Sequence, residues 1–210
     1  MIWRFVQQMG LFGSLFALTA CQRSPAPLFQ PMNRPLPAVR LIRSSGDTLQ
    51  LPRDLEGHWT VLGWIYTSCP DVCPLTAQIF RTVRDSLVAH GVPASRIQLW
   101  LVSFDPEVDS LPRLAEYAAA FEADSMLVFL RADPGELLTL SEALGFHFKR
   151  LQRMDMKETG HPMPGMRFAH DVRQYLIHPQ GTVVGVHTGT VDHPVDPDSL
   201  IQTLLTLEAS

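Results

Sequence analysis

Two apolar runs of strand length bracket one helical face, and this arrangement constrains the fold more than any other feature of the chain. Trp59 to Tyr66 (WTVLGWIY) and Ile97 to Phe104 (IQLWLVSF) are rich in aromatic and β-branched residues, the composition of buried strands. Between them Val72, Leu75, Ile79, Val83 and Leu87 recur at intervals of three and four, a helical stripe closed by Gly91. Such runs need cover on both faces, so the pattern implies a central sheet clothed by helices. The 210 residues are 46% apolar and 18% charged, which excludes a disordered chain and suffices for one core. A net charge of −4 leaves no basic field for nucleic acid, and three cysteines cannot build a disulfide scaffold.

The remaining elements are marked by turns and caps. Val39 to Ile42 and Thr48 to Leu51 flank Ser44-Ser45-Gly46-Asp47, an N-terminal β-hairpin. Ser110 to Phe121 has a cap residue, an early Pro112 and helical spacing; Met126 to Leu130 is a short strand and Pro134 to Leu144 a further helix. Residues 146 to 167 show no period. Val172 to Ile177 and Val183 to His187 flank the turn His178-Pro179-Gln180-Gly181, and Asp196-Pro197-Asp198-Ser199 starts a last helix over Leu200 to Leu207. The order predicts an α/β fold with a mixed central sheet flanked by helices, compatible with a thioredoxin-like architecture.

The N-terminus reads as an address. Arg4 precedes the uncharged stretch Met9 to Ala20, which is short for a membrane span and suits an export signal. Leu18-Thr19-Ala20-Cys21 resembles the lipobox of bacterial lipoproteins, in which the cysteine is lipidated and becomes the new N-terminus. That resemblance implies a signal peptide over residues 1–20, lipidation at Cys21, and a membrane-anchored protein of the bacterial cell envelope facing the periplasm or exterior. Residues 21–37, with their prolines, read as an extended tether, and 38–210 as the folded domain.

Cys69 and Cys73, in Cys69-Pro70-Asp71-Val72-Cys73-Pro74, stand where a buried strand hands over to a helix. A helix N-terminus favours thiolate, the form needed for disulfide exchange and for metal binding. Four-residue spacing within a helical turn would put both sulfurs on one face, so the pair can close a disulfide or clamp one soft metal ion such as copper(I). A third ligand, one imidazole, would allow either copper oxidation state. The blander alternative is two small buried residues at the head of a helix.

The Cys-Pro-Asp-Val-Cys-Pro stretch after an apolar strand resembles the copper motif of the Sco/SenC family, which has a thioredoxin-like fold. Ser103-Phe104-Asp105-Pro106-Glu107-Val108-Asp109 resembles that family's S-x-D-P-x-x-D, and His170 followed by Tyr175 to Gly181 resembles its ligand histidine and hairpin. The resemblance spans roughly residues 38 to 207 and implies that Cys69, Cys73 and His170 hold copper, one per chain, as Cu(I), Cu(II) or both. It further implies delivery of copper to, or preparation of, the CuA centre of cytochrome c oxidase, whose CuA-bearing subunit would be the partner. Other envelope copper chaperones or thiol reductases are further partners of this kind. The competing reading is an extracytoplasmic thiol–disulfide oxidoreductase acting through Cys69 and Cys73. Where many members carry an acidic residue before the histidine, this chain has Ala169, with Asp171 on the other side.

Around these ligands, Asp71, Asp105 and Asp171 are candidates for tuning the site, and Asp109 is expected to cap the next helix. Met154, Met156, Met163 and Met166, with His161, crowd one segment; they read as packing, with a soft-donor hand-over role as the sharper alternative. His58, His90, His147 and His178 are expected to be solvated or capping, and His187 and His193 to approach one another.

Overall fold

The computed structural model describes residues 27–55, 57–151, 166–190 and 192–209. The signal, the lipidation site Cys21, and Met154, Met156, His161 and Met163 lie outside the described residues.

Strand β1 (Gln30–Pro35) precedes a hairpin of β2 (Arg40–Arg43) and β3 (Thr48–Gln50). A 3₁₀ turn at Arg53–Leu55 leads into β4 (Trp59–Ile65), α1 (Val72–Ala89), β5 (Ile97–Ser103) and α2 (Leu111–Ala120). Next come β6 (Leu127–Arg131), α3 (Pro134–Leu144), and two short strands, β7 (Phe148–Arg150) and β8 (Phe168–His170). The chain closes with the hairpin of β9 (Val172–Ile177) and β10 (Thr182–Gly189) and with α4 (Pro197–Glu208).

Eight strands form one mixed sheet in the order β1-β10-β9-β4-β5-β6-β2-β3. The β4–β5 and β5–β6 pairs are parallel and the flanking pairs antiparallel, as a thioredoxin-like sheet requires. β4 is buried from Thr60 to Ile65 and β5 is almost wholly buried, so neither alternates: both faces are covered. α1 packs on α4 and across β4, β5 and β6, burying Val72, Ile79, Val83 and Leu87 as its spacing predicts, and Ala77 and Phe80 besides. Leu75, assigned to that stripe from sequence, is instead exposed at the helix's first turn. Among the described residues, no helix is long and apolar enough to cross a membrane.

Two segments differ from the sequence reading. Gln30–Pro35, taken as part of the tether, is extended but docked as an edge strand on β10, with its register shifting between Pro31 and Arg34. Prolines are tolerated at such an edge because half its ladder positions need no donor. The aperiodic stretch after residue 146 begins with β7, whose Phe148 pairs with His170 and Arg150 with Phe168 in a separate two-stranded ribbon. Three-residue strands carry too few residues to reveal a period of two.

The register settles where a site can form. β4 and β5 run from Trp59↔Ile97 to Ile65↔Ser103, so their carboxyl ends finish side by side. β9 runs against β4, from Thr60↔Ile177 to Gly63↔Gln174, which carries the start of β9 to that same end. The cysteine loop, the Ser103–Asp109 segment and His170 therefore meet at one edge of the sheet, the usual position of sites in open α/β sheets.

At the opposite end of β9, Gly181 has φ +78° and an added Cβ would lie 2.5 Å from the ring Cβ of Pro52. Left-handed backbone and contact with a rigid ring act together there. Gly181→Ala should cost roughly 2 kcal/mol, read as a lowered urea midpoint; an unchanged midpoint would contradict this packing.

Candidate metal centre

Cys69 lies in the turn after β4, with its N–H donating to the carbonyl of Tyr66, and Cys73 lies in the first turn of α1. The two are therefore not successive positions of one helix, as their spacing suggested. The turn brings the sulfurs together all the same. Both are free thiols; Cys73 is fully enclosed at 0% exposure and Cys69 reaches the edge of the site at 8%.

That difference in burial separates their chemistry. Cys69 is held down to about 4, first by a hydrogen bond from the Cys73 thiol, then by contact with His170 and the N–H groups of Asp71 and Cys73, against the opposing effect of burial. Cys73 is pushed up, chiefly by burial and then by its bond to Cys69. One sulfur is thus a thiolate and the other its proton donor. Tyr66 is also pushed up, by burial and by the Cys69 charge, and its hydroxyl oxygen accepts from the Arg167 N–H at 3.5 Å.

His170 ends β8, half-buried. Its Nδ1 lies 2.7 Å from the carbonyl oxygen of Asp171; a carbonyl only accepts, so Nδ1 carries the proton. Nε2 is the nitrogen left for Cys69. The ring is boxed by aromatic rings whose centroids stand 4.9 Å (Phe104), 6.1 Å (Tyr66) and 6.2 Å (Phe146) away. Phe146 in turn stacks on Trp64 at 4.3 Å. The Phe146 wall of this box was invisible in the sequence, where Phe146 falls in the aperiodic stretch.

The neighbouring acidic residues each have their own partners. Asp71 serves Cys69 through its backbone N–H. Asp171 orients His170 through its carbonyl, while its carboxylate accepts from the His147 N–H at 3.0 Å and lies 3.5 Å from Arg173 Nε. Asp109 does not cap α2; Ser110 occupies that position. Asp109 is fully buried and accepts from the Thr67 N–H at 3.0 Å and from the hydroxyls of Thr67 and Ser103. Asp105, 1% exposed, faces Arg167 at 3.0 Å and Arg150 at 3.5 Å, and burial raises its pKa despite both guanidiniums. Ala169 is exposed on the strand face opposite His170.

Of the other candidates, Met166 lines the same cavity as Tyr66, Cys69, Asp71 and His170. His90 meets the Ser86 carbonyl at 2.8 Å, capping its own helix. His58, expected in solvent or at a cap, is buried near Trp100 and held below its usual value by desolvation. His147 pairs with Asp171, and His178 sits edge-on to Trp59 at 4.8 Å. His187 Nδ1 is engaged by the Leu28 carbonyl at 3.0 Å, and the His193 N–H donates to Thr190 Oγ1 at 3.1 Å.

Cys69 and His170 line one cavity, and Cys73 is buried close enough to Cys69 to lower its pKa. Among the described residues, no three His, Cys, Asp or Glu side chains surround a common point closely enough to grip an ion. The donor set itself, two sulfurs and an imidazole nitrogen, suits a soft or borderline metal such as copper. A metal held by these donors would require loss of the Cys73 proton and a turn of the side chains toward one centre.

A family model for SCO1/SenC matches residues 37–207, and the chain belongs to that family. It is 26% identical over 145 residues to the mitochondrial SCO1 homolog 1 of Arabidopsis thaliana, covering 67% of this chain and 38% of that protein. The chain spans 57% of the length of a second curated relative, from Stutzerimonas stutzeri, at 30% identity over 121 residues. Among solved structures, Arabidopsis thaliana ScoI with copper bound matches with a TM-score of 0.65 and 23% identity, over 82% of this chain and 96% of that one. BsSco, a member of the Sco family of cytochrome c oxidase assembly proteins, matches with a TM-score of 0.62 and 20% identity, over 88% and 99%. Those likenesses establish the thioredoxin-like fold.

In the reduced protein, iodoacetamide should modify Cys69 before Cys73. The Cys69 rate should persist below neutral pH and fall only as pH drops toward about 4, because thiolate is lost when pH passes below the depressed value. Cys73→Ala removes the principal donor and should move that midpoint upward. Modification of Cys73 first, or a midpoint near the ordinary 9.0, would contradict the asymmetry.

Proposed function

We propose that this SCO1/SenC-family protein is a copper metallochaperone of the bacterial cell envelope. It carries one copper ion per chain on Cys69, Cys73 and His170. The observation that supports this most directly is that Cys69 and His170 line one cavity, with Cys73 buried close enough to Cys69 to hold its thiol pKa down. The Asp171 carbonyl fixes the Nδ1–H tautomer, which keeps Nε2 as a lone-pair donor toward the sulfurs. The copper-bound Arabidopsis relative is in keeping with this reading.

Copper is the cargo here. Cys69 needs no base to present a thiolate, whereas the Cys73 proton must leave when metal arrives, so loading releases protons and needs both cysteines reduced. The aromatic box around His170 keeps water from that side, and the 8% exposure of Cys69 offers one sulfur to an incoming acceptor. Transfer would then proceed by ligand exchange with thiolates or imidazoles of the acceptor, for which we take the CuA-bearing subunit of cytochrome c oxidase. Residues 1–20 would direct export, and lipidated Cys21 would anchor the domain to the membrane.

The unequal thiols favour one second reading. A thiolate beside a protonated thiol is also the starting state for disulfide exchange, so the pair could reduce cysteines of a partner and be left as a Cys69–Cys73 disulfide. His170 separates the two, since exchange needs no third donor.

The reduced protein should hold one copper per chain against a competing chelator. His170→Ala should weaken that affinity tenfold or more. No copper bound by the native chain, together with a readily cycled Cys69–Cys73 disulfide, would overturn the carrier reading and leave the oxidoreductase.

A further inference from the structure

The three donors arrive on two separate pieces of chain. Cys69 lies in the turn between β4 and α1 and Cys73 in the first turn of α1, whereas His170 belongs to the β7–β8 ribbon, which is no part of the main sheet. The β4–β9 ladder brings both pieces to the same end of the sheet but stops at Gly63↔Gln174, short of either. The segment from Ser103 to Asp109 touches both.

Toward the cysteine turn the contact is Asp109. Its carboxylate accepts from the Thr67 N–H at 3.0 Å and from the Thr67 hydroxyl, two residues before Cys69, and Arg113 closes the arrangement by donating to Thr67 Oγ1 at 2.6 Å. Toward the ribbon the contact is Asp105. Arg150, the last residue of β7, lies 3.5 Å from one of its oxygens, and Arg167, just ahead of β8, lies 3.0 Å from the other. Both guanidiniums also lie over the ring of Phe168, at 5.3 and 5.9 Å, so the two strands are clasped around one buried carboxylate. Glu107 adds a second partner for Arg150 at 2.6 Å.

The segment is itself stiff. Ser103 Oγ donates to Asp109 and accepts from the Asp105 N–H at 3.2 Å, the Asp109 N–H donates to the Asp105 carbonyl at 2.9 Å, and Phe104 N–H bonds to the Ile65 carbonyl at 3.0 Å. Phe104 also forms the nearest wall of the His170 box, at 4.9 Å. Both carboxylates are buried and both have partners on the two donor-bearing pieces, an arrangement costly to keep unless the contacts position something.

We propose that Ser103–Asp109 is the positioning element of the donor set. Asp109 holds the cysteine turn through Thr67, and Asp105 independently holds the His170 ribbon through Arg150 and Arg167. Neither is a metal ligand. The assignment of a metal to these donors rests on the carrier reading above, whereas the two clasps rest on contacts that need no metal.

The test is a pair of double-mutant cycles on the full-length reduced protein: Asp105→Asn and Asp109→Asn, each with His170 present and with His170→Ala. Copper(I) affinity is read by chelator competition, and Cys69 reactivity without metal by iodoacetamide at fixed neutral pH. Asp105→Asn should weaken copper(I) binding roughly tenfold where His170 is present and change it less than about twofold where it is not. Asp109→Asn should weaken binding by the same factor in both backgrounds. Cys69 alkylation should change with Asp109→Asn in either background, and with Asp105→Asn only when His170 is there.

Equal effects of Asp105→Asn in both backgrounds would show that it acts through general stability and would overturn the proposal. So would an Asp109→Asn effect that vanishes with His170→Ala, or no effect of either variant. If the native chain binds no copper, the carrier reading fails while the alkylation cycle still decides the positioning roles. Should Asp105→Asn not fold, Arg150→Gln with Arg167→Gln removes the same clasp from the other side and is read identically.

Discussion

The parallel pairing of β4 with β5 is the constraint on which the rest of the structure depends. Seven consecutive registered pairs, from Trp59↔Ile97 to Ile65↔Ser103, bring the two strands to their carboxyl ends at the same level. The segments leaving those ends are then forced into contact: the cysteine turn from one strand, the Ser103–Asp109 segment from the other. The antiparallel approach of β9 adds the third participant, because its first residues pass the same edge directly after His170. A slip of one residue between β4 and β5 would turn every buried side chain to the opposite face and carry Asp109 away from Thr67.

The electrostatics of the site are set by depth. Cys73, in the first turn of α1, is fully buried with no water to solvate a charge, so it keeps its proton and shares it with Cys69. Cys69 collects that hydrogen bond, the N–H groups at the head of the helix and the contact with His170. The result is a single negative sulfur at the rim and a neutral one beneath it, a state that can gain a cation by losing one proton. Metal carriage and disulfide exchange start from this same state and differ in whether the imidazole takes part.

Much of this was legible in the chain and some was not, for reasons that can be named. Long elements declared themselves: the helical spacing from Val72 to Leu87 and the apolar runs at Trp59 and Ile97 are many-residue patterns, and structure and sequence agree there within a residue or two. The contiguous motifs around Cys69, Asp105 and His170 were likewise visible because each is a local run of residues. The hidden features depend on pairing between distant positions. Nothing at Arg150 or Arg167 says that both reach Asp105, and three residues of β7 are too few to show a strand. Asp109 looked like a helix cap because it stands just before one; only the parallel register shows that its carboxylate is turned to Thr67 instead. Asp71 and Asp171 were chosen for their carboxylates, yet what they turn to Cys69 and His170 is a backbone group, and side-chain identity carries little information about that.

X-ray absorption at the copper edge of the reduced, copper(I)-loaded protein tests the central claim most directly, since it reads the donor atoms themselves. The account predicts a first shell of two sulfurs and one imidazole nitrogen, with the nitrogen contribution lost in His170→Ala and a sulfur lost in Cys69→Ser. A shell of sulfur alone in the native protein, or one unaltered by His170→Ala, would contradict it.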